Sequence, residues 1–149
     1  MITILTVGQT KDKQIQFLIQ EYLKRLSSEK IIVRTIKEEK GTKNTEEIKQ
    51  KEGERILQAL NDDSFVIALS EEGKLMNSIA FADFLKKNTD KKIVFVIGGA
   101  FGLSQEVKNK ANLLFSLSPM TFPHELAQLL LVEQMYRAWT INTGRHYHK

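Results

Sequence analysis

Short β-branched runs alternate along the chain with stretches whose apolar residues recur every three or four positions. Ile2–Val7 reads as a strand. Ile15, Leu18, Ile19, Tyr22, Leu23 and Leu26 then fall at i, i+3, i+4, i+7, i+8 and i+11, one face of an amphipathic helix. Ile31–Ile36 is a second strand, and residues 37–44 form a charged loop around Gly41. Thr45 is placed to cap a helix that has Glu46 and Glu47 in its first turn and runs to about Leu60. Residues 64–69 predict a third strand, and residues 71–73 a turn. A helix from Ser78 to about Lys87, a strand over Lys92–Ile97, a short helix starting at Ser104 and a fifth strand over residues 113–117 follow. The last helix runs from His124 to about Ile141. Near-continuous apolar strands separated by helices predict one α/β domain, a parallel sheet covered by helices on both faces.

That last helix is apolar over more of its circumference than one sheet face requires. Only Glu125, Gln128, Glu133, Gln134, Arg137 and Thr140 interrupt its apolar positions after His124. Deep burial within the chain accounts for this, and so does a second face packed on another copy; the modest chain length favours the copy, a homodimer through the last helix.

Composition narrows the class. With 149 residues, 42% hydrophobic and 27% charged, the chain suits a soluble globular domain and excludes long disorder and collagen-like repeats. No run approaches the ~20 apolar residues of a membrane span, and residues 1–8 lack the charged and apolar regions of a secretion signal. The absence of cysteine excludes a disulfide framework and fits a cytoplasmic protein. The net charge of +4 is placed unevenly: residues 1–75 carry thirteen basic and thirteen acidic side chains, residues 76–149 nine and five. Beyond Glu133, the last acid, come Arg137, Arg145 and Lys149, with no further carboxylate in sequence to oppose them.

Ligands of open α/β sheets bind beyond the carboxyl ends of the strands, and three loops there have suggestive composition. The loop after the third strand begins Leu69-Ser70-Glu71. The next reads Gly98-Gly99-Ala100-Phe101-Gly102 and lacks both the dinucleotide fingerprint and a P-loop lysine, so hydride and phosphoryl transfer are poorly supported. The third, Ser118-Pro119-Met120-Thr121-Phe122-Pro123-His124, is stiffened by two prolines while its backbone stays available to read an adenine, with Met120 and Phe122 as apolar walls. The tail from Asn142 onward interleaves Arg145, His146, Tyr147, His148 and Lys149. Its His-x-His pair has no cysteine or carboxylate beside it, which argues against a metal site. Phosphate-holding cations, a stacking phenol and a titratable imidazole suit RNA.

Several stretches together resemble one family. They are Gly98-Gly99-x-x-Gly102-Leu103-Ser104, Leu117-Ser118-x-Met120-Thr121-x-Pro123-His124, Val132-Glu133-Gln134-x-Tyr136-Arg137-Ala138, the closing Tyr147-His148-Lys149, and Lys51-Glu52-Gly53-Glu54-Arg55-Ile56. The chain resembles, over its whole length, the ribosomal large-subunit (23S rRNA) pseudouridine N3-methyltransferases of the SPOUT class. The resemblance implies an α/β fold whose C-terminal segment forms a deep trefoil knot, and a homodimer packed through the last helix. It implies S-adenosyl-L-methionine as cofactor, held by Leu69, Gly99, Ser118, Pro119, Met120, Thr121, Phe122 and Pro123, and 23S rRNA in the assembled ribosome as partner. His148 or Tyr147 from the partner's tail would take or relay the N3 proton, and Arg137, Arg145 and Lys149 would hold RNA. Two departures touch the RNA side: Gln128 stands where many relatives have arginine, and residues 9–13 follow the family's Gly-Lys-rich pattern only loosely. A ribosome-associated RNA-binding protein without catalysis and a tRNA methyltransferase of the same class are the alternative readings.

Overall fold

In the computed structural model, which describes residues 1–149, five strands form one parallel sheet. In chain order the elements are β1 (Ile2–Val7), α1 (Lys13–Arg25), a single 3-10 turn (Ser27–Glu29), β2 (Ile31–Ile36), α2 (Thr45–Ala59), β3 (Ser64–Leu75), α3 (Ser78–Lys87), β4 (Lys92–Ile97), α4 (Gln105–Lys110), β5 (Leu113–Ser116) and α5 (His124–Asn142). The strand order is β2-β1-β4-β3-β5. The alternation of apolar side chains divides the core in two. Ile4, Ile67, Phe95 and Phe115 point to the face covered by α1, α3 and α5, where they meet Ile19, Phe81, Leu131 and Met135. Leu5, Val66, Ala68 and Val96 point to the other face, against Ile56 of α2 and Val107 of α4.

Most helices start where a short polar side chain can take up their free N–H groups. Asp12 caps α1 through Gln14 and Ile15, Asn77 caps α3 through Ala80, and Ser104 caps α4 through Val107. The cap of α2 is Asn44, whose side-chain Oδ1 accepts from the Glu46 and Glu47 N–H groups; Thr45, the expected cap, is already the first helical residue.

Two other boundaries differ from the sequence reading. Residues 71–73, expected as a turn, lie within β3, which continues past a register break between Leu69 and Lys74 and pairs again with Phe115 and Ser116. A Cβ on Gly73 would stand 2.7 Å from the Leu114 carbonyl carbon, so only glycine lets the two backbones approach here. β5 ends at Ser116, one residue earlier than expected.

α5 lies between α1 and α3, as the Thr10–Gln128 and Ser78–Gln134 side-chain hydrogen bonds on its two sides illustrate. With the sheet beneath and a helix on either side, three directions around α5 are occupied within one chain. Its wide apolar circumference therefore needs no second copy to explain it. What remains uncovered is an outer strip carrying Leu126 and Leu130, 39% and 38% exposed. No helix is long and apolar enough to cross a membrane.

Candidate cofactor cleft and C-terminal tail

The loops after β3, β4 and β5 meet at the carboxyl edge of the sheet around a cleft of about 240 Å³. Leu69, Gly99, Ser118, Met120, Thr121 and Phe122, six of the residues the resemblance assigns to the cofactor, line it. Pro119 and Pro123 do not, and Pro123 instead stands at the N-cap of α5. The prolines shape the loop from outside the cleft. Gly98, Gly102, Leu117 and His124 are also among its walls. The sequence singled out their loops without assigning them cofactor contacts.

The third loop is set by Ser116 and Ser118. The Ser116 hydroxyl lies 2.8 Å from the Ser118 carbonyl, to which it donates, and Ser118 Oγ accepts the Met120 N–H at 3.1 Å. The N–H groups of Thr121 and Phe122 have no partner within the chain. Met120 and Phe101, 73% and 51% exposed, stand beside the cleft with large apolar surfaces uncovered. Open backbone donors between exposed apolar walls are what a heteroaromatic ring with polar edges requires.

Behind the glycine loop, the Lys51–Ile56 motif finds its physical reason. Gly53 faces the capping Ser104, whose Oγ would lie 2.3 Å from any Cβ added there. Glu52 is only 4% exposed; its Oε2 accepts the Glu39 N–H at 3.0 Å, while Oε1 has no partner and lies beside Gly99. Burial raises the Glu52 carboxyl above the usual carboxylate range, against the lowering effect of the Glu39 N–H. Arg55 pairs with Glu39 and donates to the Lys37 carbonyl at 2.9 Å.

The tail folds back onto α1 and α5 of its own chain and is absent from the walls of the cleft. Tyr147 donates to Glu133 Oε1 at 3.1 Å, sits 3.4 Å from the Tyr22 hydroxyl and meets the Tyr136 ring edge-on at 4.7 Å. Burial, reinforced by Tyr22 and Glu133, pushes the Tyr147 phenol well above its ordinary value. That group is held neutral as a hydrogen-bond donor. A role as proton acceptor, one of the sequence expectations, is disfavoured for that reason.

Arg137 is likewise not the free cation the sequence suggested. It donates to Glu133 Oε1 from Nε at 3.0 Å and Nη2 at 2.6 Å, and its guanidinium lies over the Tyr147 ring at 4.7 Å. The acid one turn before it cancels its charge, and the pairing raises the already high value of the guanidinium. Arg137 Nη1 is 3.2 Å from His148 Nδ1, and since arginine only donates, that nitrogen accepts. Arg145 stacks over Trp139 at 4.2 Å, and neither it nor Lys149 has a carboxylate within ion-pair distance.

A parallel α/β sheet with a cleft among its last loops is compatible with a methyltransferase, and comparison with known proteins decides the family. Residues 1–148 match the family model described as "Predicted SPOUT methyltransferase". The chain belongs to the SPOUT methyltransferase family. It is 47% identical to the ribosomal RNA large subunit methyltransferase H of Bacillus cytotoxicus and 46% identical to that of Bacillus thuringiensis, over 99% of each chain. Among solved structures it resembles a probable methylase family protein from Haemophilus influenzae, with a TM-score of 0.61 at 14% identity, over 99% of this chain and 70% of that one. That likeness speaks to the fold alone. A trefoil knot is what the resemblance to the SPOUT class implies for this fold.

Proposed function

We propose that this methyltransferase transfers the methyl group of S-adenosyl-L-methionine to N3 of a pseudouridine in the 23S rRNA of the assembled ribosome, in the cytoplasm. Full-length identity of 47% to a large-subunit rRNA methyltransferase is the observation that carries the reading. The cleft agrees with it. The open N–H groups of Thr121 and Phe122 suit the edge of the adenine, with Leu69, Gly99 and Met120 around it and Pro119 and Pro123 holding the loop in shape. When bound, the cofactor supplies an electrophilic methyl group on a sulfonium.

The RNA side of the site calls for a second copy, because the tail docks away from the cleft of its own chain. A homodimer through the outer strip of α5, with Leu126 and Leu130 and the exposed Phe17 and Leu18 of α1, would bring the partner's tail to the cleft. In that arrangement Arg145 and Lys149 hold phosphates and His148 hydrogen-bonds the target nucleotide. Tyr147 and Arg137 fix the tail, and Arg137 reaches RNA only as part of that anchor.

The test is a methylation assay on purified 70S ribosomes, 50S subunits and tRNA with mass mapping of the product, alongside calorimetric titration with S-adenosyl-L-methionine. Methyl incorporation at a 23S pseudouridine is the expected result. Incorporation into tRNA alone, or no cofactor binding, would overturn the reading. Arg145→Ala should weaken ribosome binding and flatten its dependence on log salt by roughly one unit of slope or less, as expected for one lost phosphate contact. A monomer by sedimentation at micromolar concentration would remove the dimer.

A further inference from the structure

His124 is the first residue of α5 and a wall of the cofactor cleft. Its Nε2 is buried and has no hydrogen-bond partner, a costly condition for a ring nitrogen unless something else arrives to use it. Nδ1 makes no hydrogen bond within the chain and, unlike Nε2, is not sealed from solvent. Across a narrow gap lies Gly8, at the end of β1, with φ +78°. A Cβ placed on Gly8 would be 3.8 Å from His124 Nε2 and 3.7 Å from Glu38 Oε2, so the imidazole and the carboxylate converge on the one position that carries no side chain.

Gly8 is also the rim of a second cleft, about 660 Å³, running over Lys11, residues 35–41 and Arg55. It is almost entirely polar, with four cations, Lys11, Lys37, Lys40 and Arg55, against Glu38 and Glu39. Gly8 on the rim of this cationic cleft and His124 in the wall of the cofactor cleft are thus neighbours.

We propose that the cationic cleft receives the target nucleotide, phosphate toward the lysines and base toward Gly8, and that His124 Nε2 of the cofactor-holding subunit accepts the N3 proton. This rests on the reaction assigned above. The N–H electron pair of N3 forms the new N–CH₃ bond as the S–CH₃ bond breaks, leaving a neutral thioether. The proton passes to Nε2, and the imidazolium releases one to water from Nδ1. Charge balances, since the positive charge of the sulfonium ends on the imidazolium. Glu38 faces that charge, shared with Lys40 at 3.1 Å and Lys11 at 3.7 Å; Glu125, beside His124 on α5, is occupied by the Lys11 N–H at 2.8 Å. Glu71 is the one acid lining the cofactor cleft. In the tail, Tyr147 is held as a neutral donor and His148 Nδ1 is taken by Arg137, which leaves His148 Nε2 to hydrogen-bond the nucleotide.

Two measurements test this. Long-range ¹H–¹⁵N NMR of the cofactor-free protein follows the His124 ring during titration with an RNA hairpin containing one pseudouridine. The Nε2 signal should move as the hairpin binds, and a stationary Nε2 signal with bound hairpin would overturn the proposal. In single-turnover methylation of ribosomes, His124→Gln should lose on the order of a hundredfold or more in rate. Lys37→Ala should raise KM for the RNA and leave kcat in place. A wild-type enzyme that methylates 23S rRNA beside a His124→Gln variant of equal rate would refute the role of His124 and spare the reaction. A wild type that leaves 23S rRNA unmodified would refute the reaction itself. If His124→Gln fails to fold, the NMR titration of the wild type decides.

Discussion

The N-terminal end of α5 and its C-terminal half, whose cluster is built on Glu133 about 14 Å further along the helix, treat their polar groups in opposite ways. In the C-terminal half the cluster is closed within the chain: Glu133 takes Arg137 and Tyr147, Tyr147 touches Tyr22 and Tyr136, and Arg145 lies on Trp139. At the N-terminal end, and in the loops facing it, groups are left waiting. His124 Nε2 and Glu52 Oε1 are buried without partners, the N–H groups of Thr121 and Phe122 are open, and Met120 is uncovered. A saturated cluster is a device for holding a segment still. An unsaturated one carries a standing cost of about 1–3 kcal/mol for each buried orphan, which a ligand can recover. The residues that looked most chemical in the sequence lie mainly in the first kind of cluster, while part of the chemistry belongs to the second.

The contrast breaks most forcefully at Glu133. Glu133→Ala strips Arg137 of its carboxylate and Tyr147 of its acceptor at largely buried positions, and should cost about 2–3 kcal/mol of stability. Urea unfolding measures this, and calorimetry on the folded variant should find cofactor affinity unchanged, because the cluster touches no wall of the cleft. A stable variant that no longer bound cofactor would mean the two ends are one unit. The reverse pattern is expected at Gly99, where an alanine Cβ would fall 2.9 Å from Glu52 Oε1 and 3.2 Å from Val7 Cγ1. Gly99→Ala should displace the glycine loop and weaken S-adenosyl-L-methionine binding by roughly tenfold, about 1.4 kcal/mol. Unaltered cofactor affinity in that variant would show that the loop does not set the cleft.

Periodicity and strand composition revealed nearly all of the architecture, because each face of each element is buried against the sheet in a regular way. The failures lie where distant segments decide. Residues 71–73 carry two acids and a glycine, which read as a turn, and only the approach of the Leu114 backbone to Gly73 makes them strand. The apolar width of α5 was legible, but not that α1 and α3 would occupy both its sides. Arg137 counted as a free cation, although Glu133 one turn earlier was a visible partner at i, i+4 spacing that could have been weighed. The orphan nitrogen of His124 has no signature in sequence, since it depends on a glycine at the far end of the chain. The knot came from family resemblance and not from any local pattern.

The smallest expected effect concerns Glu52, and it asks whether incomplete satisfaction near the cleft has a measurable cost. Burial raises its carboxyl, with the negative charges of Glu38 and Glu39 adding to the effect and the Glu39 N–H and Arg55 opposing it. The unfolded chain releases that proton at the ordinary carboxylate value; the folded chain holds it to higher pH. Between those two values the folded state binds more protons, so stability falls as pH rises through the window. The contribution is fully present below the unfolded value and lost above the folded one. Glu52→Gln keeps an oxygen for the Glu39 N–H and cannot ionise. It should therefore be more stable than the wild type at neutral pH, by an advantage that shrinks as the solution is acidified toward the ordinary carboxylate range. Paired urea titrations at several pH values measure that difference. An advantage that grew on acidification would mean Glu52 is a stabilised anion, satisfied like Glu133, and the distinction between the two ends of α5 would lose one of its two buried orphans.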